Sequence, residues 1–488
     1  MSPNINTNIT ETLLADALAR FAQIDLNGLP WSQLISALLV LTVCTWLYMP
    51  TFDGVSAPFA GYRSPLEPSL LVRMRFAREA PGMIDEGYSK VLYLLAKSPE
   101  YGSVTNATQW KNSMYKVSRH DGDLVILSRK YVDELQNIPT ERLSSIKGLI
   151  KNFGGRYSGI ELLAESDIGT RAIQAVTMTQ MATRAVPPAI RPFLNLVLRF
   201  SWKYKASIRS GKKILAPEVQ HRRHLAEIDP DYVKPNDLLQ AMMDMSTPGG
   251  KDSQPENLAH RQLVITLVAG HSTAAAGSHA LFDLVAKPQY VDELRGEVIQ
   301  VLQEDGGCWG KQSLSKLRKM DSFLRESVPP QSQRWNPPSL LGFHRIVEDR
   351  AGITLHDGVH LPYGTHLCVA PDSISRDRDV IPNPDVFDGL RYYEQRRQNP
   401  GESMKHQHAT ADKNHLHFGY GTWSCPGRFL ASDELKIILA TLLLRYEFRY
   451  AEGSSRPTNR NVDEFPYVDT ETPLLMRRRE DGEGNAAL

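Results

Sequence analysis

The sequence predicts a mainly α protein with small β-sheets (α+β), preceded by one apolar segment near its amino terminus. One stretch, residues 253–288, is apolar and has no proline between Pro255 in its first turn and Pro288 at its end, which predicts a single long helix. Apolar and polar residues alternate over 114–127 around an Asp-Gly pair, which indicates a β-hairpin. Glycine, proline and Asp-Gly turns divide 352–371 into short strand-like pieces. Helices therefore predominate, and the strands are short.

The boundaries of the helices follow from local signals. Ser253 and Glu256 form a capping-box pattern at the start of the long helix, and Pro288 marks its end. A second helical stretch covers 313–327 and stops before two prolines. A third, amphipathic helix is predicted over 428–446. The polar, turn-rich residues 395–413 are predicted to form a surface loop.

Composition excludes some classes of protein. The formal net charge of the 488 residues is +1, and lysine and arginine are spread along the chain, so no nucleic-acid partner is predicted. The four cysteines are too few and too scattered for a disulfide framework, which favours a reducing compartment for the main body. They are Cys44, Cys308, Cys368 and Cys425.

Residues 31–50 have no charged side chain and are just long enough to cross a bilayer. A buried core helix is the structural alternative, and a secretory signal is disfavoured because no basic region precedes the run. Arginines follow the run, so the positive-inside rule places the body in the cytosol. The predicted organisation is a lumenal segment with a glycosylation acceptor at Asn8, a transmembrane anchor, a proline-rich linker and one large domain: 1–30, 31–50, 51–68 and 69–488.

Cys425 lies between glycines and directly before the predicted helix 428–446. A thiol at a helix amino terminus faces unpaired N–H groups and the positive end of the helix dipole, which favours the thiolate. Glycines let the backbone approach a planar partner closely. The setting therefore suits a thiolate that binds a metal, although a small buried residue before a helix is the simpler interpretation of an isolated cysteine.

The segment "FGYGTWSCPGR" fits F-x-x-G-x-x-x-C-x-G-R, and with it the chain resembles a membrane-anchored fungal member of the cytochrome P-450 family. The resemblance implies the cytochrome P-450 fold, with Cys425 as the thiolate ligand of the iron of haem b. It also implies that Phe418 packs beside the haem and that Gly421 and Gly427 permit the loop. Trp423 stands where the family has Arg or His facing a propionate and offers one uncharged N–H donor.

Two arginines match positions of the family that neutralise the haem propionates. Arg345 lies in "LLGFHRIVED", and Arg171 lies in "GTRAIQAVTMTQ", which resembles the family's haem-facing helix. The long helix carries "AGHST", which resembles the oxygen-activation motif. By this resemblance the Thr273 hydroxyl hydrogen-bonds dioxygen and helps to deliver protons. Ser272 occupies the position of the usual acid, and a serine relays a proton but holds no charge.

A third set of residues resembles the family's buried ion-paired triad, in which Arg391 joins the Glu and Arg of an E-x-x-R helix. Here Glu326 is followed three positions later by proline, and removing 328–332 would bring Arg334 to the family's spacing. We infer a five-residue insertion. Between 180 and 181 the helices that the family carries at this point are missing, which indicates a lost coding segment.

The resemblance implies a haem-thiolate monooxygenase of the endoplasmic reticulum membrane, single-pass, with a cytosolic catalytic domain. It would use dioxygen and electrons from NADPH through a reductase to oxidise a lipophilic small molecule. Similarity to fungal members of secondary metabolism points to a terpenoid or meroterpenoid substrate. Phe465 and Pro466 resemble a late turn that reaches the substrate pocket.

Two alternatives remain open at the level of sequence. Insertion and loss of segments would be compatible with a membrane-anchored haem protein without turnover. A zinc-binding module is the other, because alternate histidines can place imidazoles on one side of a strand. Those histidines are His406, His408, His415 and His417.

Overall fold

The computed structural model describes residues 54–55, 57–64, 67–89, 114–152, 199–310, 312–327, 339–402 and 404–479, together with Ser36. Within these ranges no helix is both long and apolar enough to cross a membrane. The predicted anchor lies outside them except for Ser36, so its membrane-spanning role stays a prediction. Asn8, Arg171, Arg334 and the inferred insertion also lie outside the described residues.

The largest sheet has six strands in the order β1-β2-β3-β8-β5-β4. The predicted hairpin is confirmed: β2 and β3 pair antiparallel around Asp121-Gly122. Three two-stranded sheets complete the described β-structure, with pairs β6-β7, β9-β12 and β10-β11. The strands are β1 Phe59–Ala60, β2 Met114–Arg119, β3 Gly122–Leu127, β4 Leu143–Ser144, β5 Gly342–Val347, β6 Ile353–Thr354, β7 His360–Leu361, β8 His366–Val369, β9 Tyr446–Tyr450, β10 Arg460–Val462, β11 Phe465–Tyr467 and β12 Leu474–Arg478.

Helices account for most of the remaining regular structure. They are α1 Ser69–Ser89, α2 Val132–Leu135, α3 Ser145–Asn152, α4 Arg199–Ile228, α5 Leu238–Met245, α6 Pro255–Ala286, α7 Val291–Glu304, α8 Ser313–Lys316, α9 Arg318–Ser327, α10 Pro371–Ser375, α11 Arg391–Gln398 and α12 Arg428–Arg445. This proportion of long helices to short strands is the predicted α+β class.

The long helix α6 has 32 residues and confirms the prediction from its apolar, uninterrupted sequence. Its start was predicted wrongly in detail. Gln254 is the N-cap and no side chain caps the helix, because the Ser253 hydroxyl instead donates to the carbonyl of Gly250 in the preceding turn. The helix ends at Ala286, and Pro288 begins a short 3₁₀ helix, as a proline does when it cannot continue an α-helix.

Two large apolar clusters position the elements that matter for function. One joins α6, α7, α9 and α12 through buried leucines and aromatic rings, among them Leu284, Phe323 and Leu439. The other lies on the six-stranded sheet and includes Phe343 of β5 and Leu416 of the segment that precedes Cys425. Each fully buried side chain of this size contributes about 1.5–3 kcal/mol. The clusters thereby fix α6, α12 and β5 around the cysteine loop.

The polar segment 395–413 differs from the predicted surface loop. Helix α11 extends to Gln398, and His408 is only 1% exposed. Charged residues of α9 supply buried polar contacts here: the backbone N–H of His408 donates to Asp321, and Arg325 donates to the carbonyls of Gln407 and Thr410. Asp321 and Arg325 are distant in sequence from residues 407–410. The local sequence showed only a polar segment, and the prediction of an exposed loop was wrong for this reason.

Candidate active site

Cys425 is exposed, and it lies in the turn that leads into α12. Its backbone N–H donates to the carbonyl of Phe418 at 2.6 Å, and its own carbonyl accepts from the Arg428 side chain at 2.8 Å. These bonds close the loop and fix the backbone on both sides of the cysteine. The thiol therefore lies on a hydrogen-bonded turn at the amino-terminal end of an 18-residue helix.

Two glycines of the loop have left-handed backbone conformations. Gly419 has φ +70°, and a Cβ there would lie 2.7 Å from the carbonyl oxygen of Trp423. Gly421 has φ +68°, and a Cβ there would meet the side chain of Gln136. Gly427 is different: its φ is −86° and a Cβ would meet no protein atom within 4 Å. The first two glycines are thus required by the protein itself, whereas the third borders open space beside Cys425.

Phe418 is buried, and its ring lies 5.9 Å from the ring of His408. Trp423 ends the one-turn 3₁₀ helix Gly421–Trp423, and 37% of it is exposed. Both therefore stand on the loop that the cysteine motif predicted, one directed into the protein and one toward its surface.

Arg345 lies on β5 and is 6% exposed. Its Nη1 donates to the carbonyl of His344 at 2.9 Å, and its guanidinium carbon stands 4.0 Å from the ring centroid of Phe343. No carboxylate of the described residues forms an ion pair with it. Burial lowers the pKa of Arg345 to about 10, so it remains a cation at neutral pH. A buried cation of this kind fits an anionic partner from outside the chain.

The two residues of the oxygen-activation motif both lie on α6, but their hydroxyls have different partners. The Ser272 hydroxyl donates to its own helix, to the carbonyl of Val268 at 2.7 Å and to that of Ala269 at 3.3 Å. The Thr273 hydroxyl donates to Glu434 of α12 at 3.4 Å. Only Thr273 therefore points its hydroxyl toward the helix that follows Cys425.

Glu326 and Arg391 are brought together as the triad predicts. The Nε of Arg391 lies 3.4 Å from Oε2 of Glu326, whose side chain is fully buried. Its other oxygen accepts from the backbone N–H of Asp388 at 3.0 Å. The Arg391 guanidinium also donates to the carbonyls of Pro382 and Val386. This pair joins the end of α9 to the start of α11 and leaves Arg334, which the structure does not describe, as the predicted third member.

The four histidines of the zinc alternative do not converge on one point. His406 contacts Glu402, and His415 contacts Tyr392 and Asp412. His408 has no hydrogen-bond partner at either ring nitrogen, and burial holds its pKa at about 3. Nowhere in the described part of the chain do three His, Cys, Asp or Glu residues form a group that could hold a metal ion. The geometry thus gives no support to zinc.

The residues around Cys425 fit a haem. The thiol is an appropriate iron ligand, Arg345 supplies a buried cation with no ion-pair partner among the described residues, and Gly427 leaves space next to the thiol. Large apolar side chains of the facing helices are exposed on the protein surface: Val268 of α6 and Phe429 and Leu430 of α12. A flat apolar group with anionic substituents satisfies all of these features.

Sequence reasoning missed three residues of this site. Glu434 contacts Thr273, and Gln136 lies against Gly421 from another part of the chain. His344 precedes Arg345 and accepts its hydrogen bond. Glu434 could have been noticed in the sequence, because it is a charged residue on the helix that follows the cysteine motif, six positions after Arg428. The contacts of Gln136 and His344 depend on tertiary packing and left no signal in the sequence.

Comparison with known proteins gives consistent similarities. The family profile described as Cytochrome P450 matches residues 164–468. The cytochrome P450 monooxygenase terK of Tolypocladium album is 61% identical over 548 aligned positions, covering 97% of this chain and 98% of terK. The cytochrome P450 monooxygenase ltmK of Epichloe festucae (strain Fl1) is 44% identical over 546 positions, with the same coverage. The crystal structure of the cytochrome P450 CYP102L1 has a TM-score of 0.54 at 17% identity and covers 87% of this chain and 99% of that one, a likeness of fold alone.

Proposed function

Because the chain belongs to the cytochrome P450 family and is a haem-dependent monooxygenase, we propose that its substrate is a terpenoid or meroterpenoid intermediate of fungal secondary metabolism. The enzyme uses dioxygen and electrons from a redox-partner reductase, as the family does. We further propose that the reductase is NADPH-dependent and that residues 31–50 anchor the chain in the endoplasmic reticulum membrane, with Asn8 as a lumenal glycosylation acceptor.

The observation that supports a haem-dependent oxidation is the exposed thiol of Cys425 on a closed loop at the start of α12. When bound there, haem supplies the activation of dioxygen that protein side chains lack. Cys425 would ligate the iron, and Arg345 would neutralise a propionate from within the protein. Arg171 and Trp423 remain candidates for the other propionate contacts. The Thr273 hydroxyl, held toward Glu434, would position a proton near the site.

The substrate class is supported by the character of the helix surfaces beside the site. On α6, Ile265 and Val268 are 39% and 54% exposed, and they lie eight and five positions before Thr273. Such surfaces favour an apolar ligand, since burying them on binding is the main source of affinity. The relatives terK and ltmK come from fungi, which agrees with a fungal metabolite as substrate.

The first test is the carbon-monoxide difference spectrum of the reduced full-length protein in microsomes. A Soret band at the long-wavelength position of thiolate-ligated haem is expected for the wild-type chain, and its loss is expected for Cys425→Ser. Cys368→Ser is the matched control, because Cys368 is fully buried on β8 in an apolar cluster that contains no residue of the cysteine loop. The band should survive in C368S.

The second test is turnover with a co-expressed NADPH reductase and a panel of terpenoid and meroterpenoid alcohols and hydrocarbons. We expect a product that is heavier by one oxygen atom, formed from NADPH and dioxygen. A long-wavelength band combined with turnover only of unrelated, polar compounds would contradict the substrate class while leaving the haem site intact.

A second candidate is a haem protein without turnover, and one observation favours it. The chain has 488 residues, and 97% of these is about 473, so about 75 of the 548 positions aligned with terK have no residue in this chain. A chain that lacks this much of its relatives could bind haem without completing the substrate pocket. A long-wavelength band without any product from the panel would support this candidate.

A further inference from the structure

A buried polar cluster lies behind the strand that carries Arg345. Its centre is Glu464, in the turn between β10 and β11, whose side chain is fully buried. Oε2 of Glu464 accepts from Nη1 of Arg119 at 2.8 Å, and Oε1 accepts from Nδ2 of Asn152. The ring Nε2 of His344 lies 3.4 Å from Oε1 of Glu464. The cluster therefore ties β2, the end of α3 and β5 to one carboxylate.

The turn that presents Glu464 is itself fixed by the backbone. Asp463 has φ +58°, a left-handed conformation that costs a non-glycine residue free energy. Its N–H donates to the carbonyl of Ala77 on α1 at 2.9 Å. The carbonyl of Glu464 accepts from the N–H of Leu340 at 2.8 Å. Glu464 is thus a rigid anchor, against which the segment entering β5 is held.

The strand β5 is irregular where this anchor reaches it. Its register with β8 shifts between Gly342 and Arg345, and Phe343 has φ +58°. A β-bulge of this kind redirects the side chains that follow it, and a strained residue persists only where its surroundings hold it. The direction of the Arg345 guanidinium therefore depends on what holds this bulge.

Contacts with several neighbouring residues hold the His344 ring in place at the bulge. Its Nδ1 is 3.2 Å from Nε2 of His366 on β8, and its Nε2 is 3.4 Å from Nδ2 of Asn152. On α3, one turn before Asn152, Gly148 packs directly on the peptide between His344 and Arg345: a Cβ there would lie 2.7 Å from the carbonyl carbon of His344. His344 and Arg345 share this peptide, so holding the His344 ring and packing Gly148 on the peptide fix the backbone from which the Arg345 side chain projects.

We propose that Glu464 is a positioning residue for Arg345: with Asn152 it holds the His344 ring and so the bulge that directs the Arg345 guanidinium toward the haem. The inference rests on the proposed role of Arg345 as a propionate partner. Glu464 contacts neither haem nor substrate in this account. Its effect on haem binding depends on Arg345 alone, so the effects of substituting Glu464 and Arg345 should not add.

The test measures how fast the full-length holoprotein loses haem to excess apomyoglobin, in wild type, E464Q, R345Q and the double variant. Glutamine keeps the size of Glu464 and removes its charge, and at position 345 it replaces the guanidinium by a shorter, uncharged side chain. We expect R345Q and E464Q each to accelerate haem loss, E464Q by about tenfold, as is typical when an outer partner of a ligand-holding residue is removed. In the R345Q background E464Q should add less than about twofold.

Two further variants separate positioning from general destabilisation. D377N removes a different buried carboxylate, one that accepts from Tyr88 of α1, and it should leave haem loss at the wild-type rate. G148A displaces the peptide before Arg345 without touching Glu464, so it should accelerate haem loss as E464Q does, again only when Arg345 is present. G148A keeps the inference testable if E464Q does not accumulate.

The contrary outcomes are distinct. Equal acceleration by E464Q with and without Arg345 would overturn the positioning role, as would fast haem loss in R345Q combined with a wild-type rate in E464Q. A wild-type rate in R345Q would overturn the proposed propionate contact itself, and the inference would fail with it.

Discussion

The hydroxyls of Ser272 and Thr273 are adjacent in sequence but are engaged differently. Ser272 donates to carbonyls of its own helix, whereas Thr273 donates to Glu434 across the helix interface. We predict that Thr273→Ala lowers the product formed per NADPH consumed by about tenfold or more, since a positioned proton donor contributes strongly to such steps. Ser272→Ala should stay within about twofold of wild type, because it removes only a hydrogen bond within the helix. An equal loss in both variants would show that Ser272 relays the proton.

His408 provides a prediction about acid stability. Burial holds its pKa at about 3, below the ordinary value of 6.5, because the charged ring would lose its hydration. Below pH 6.5 the unfolded chain takes up a proton at this position and the folded chain does not, so stability falls as the pH falls from 6.5 toward 3. At pH 5 this residue costs about 2 kcal/mol relative to neutral pH.

The substitution His408→Leu should remove this cost. Both ring nitrogens lack hydrogen-bond partners, so a similar-sized apolar side chain loses no polar contact. Urea unfolding should show the stability of His408→Leu relative to wild type to be about 2 kcal/mol greater at pH 5 than at pH 8. His406→Leu is a matched control, because His406 is only partly buried and contacts Glu402. A constant difference between H408L and wild type across this pH range would refute the explanation.

Local motifs predicted the residues expected to face a haem, since Cys425 and its glycines stand within a few positions of one another and Thr273 stands in a short motif of its own. Glu464 and His344 could not be predicted in this way. Glu464 is separated by 345 positions from Arg119 and by 312 from Asn152, and it acquires its role only through folding. The same holds for Glu434, whose contact with Thr273 spans 161 positions.

At the scale of elements, the cysteine loop distinguishes glycines needed by the protein from glycines needed by a ligand. Gly419→Ala forces a left-handed backbone on alanine and places its Cβ 2.7 Å from a carbonyl oxygen, so we predict a loss of about 2 kcal/mol in the stability of the haem-free protein. Gly427→Ala should leave that stability within about 0.5 kcal/mol of wild type, because its Cβ meets no protein atom.

Haem binding tests the role of Gly427 separately from its effect on the stability of the haem-free protein. If Gly427 borders the haem, G427A should bind less haem per mole of folded protein while its haem-free form unfolds like the wild type. Thermal unfolding of the haem-free proteins and haem titration of the same samples measure both quantities. Full haem binding by G427A would show that the open space beside Cys425 is not used by the haem.

The elements themselves were predicted with uneven success, for a physical reason. The long helix and the hairpin were predictable because periodicity and turn residues act locally, and α6 and β2-β3 have the expected positions. The capping box failed because a short 3₁₀ turn, Lys251–Ser253, precedes α6 and engages Ser253. The prediction for the segment 395–413 failed because His408 is buried and its N–H donates to Asp321 of α9, which is far away in the sequence.

At the scale of the whole molecule, the pair Glu326–Arg391 shows that part of the family's scaffold is assembled. The carboxylate of Glu326 lies at the end of α9 and receives both the Arg391 side chain and the N–H of Asp388. The residues that follow α9, where the sequence indicates a five-residue insertion, separate Arg334 from its expected position one turn after Glu326. Removing one partner of a buried ion pair lowers the stability of a protein by about 3–5 kcal/mol, because the other charge stays buried without compensation.

We therefore predict that deleting residues 328–332 increases the haem content and the thermal stability of the full-length protein. The deletion removes two prolines that stop the helix and brings Arg334 to the i+3 position from Glu326, where both side chains share one helix face. Absorbance of the haem relative to total protein, and the unfolding temperature, measure the gain. Arg334→Ala in the deleted chain should cancel it, because the third member of the ion-paired group is then lost. If the shortened chain gains nothing, or gains equally with R334A, then the five residues are a native part of the fold and Glu326 is stabilised without Arg334.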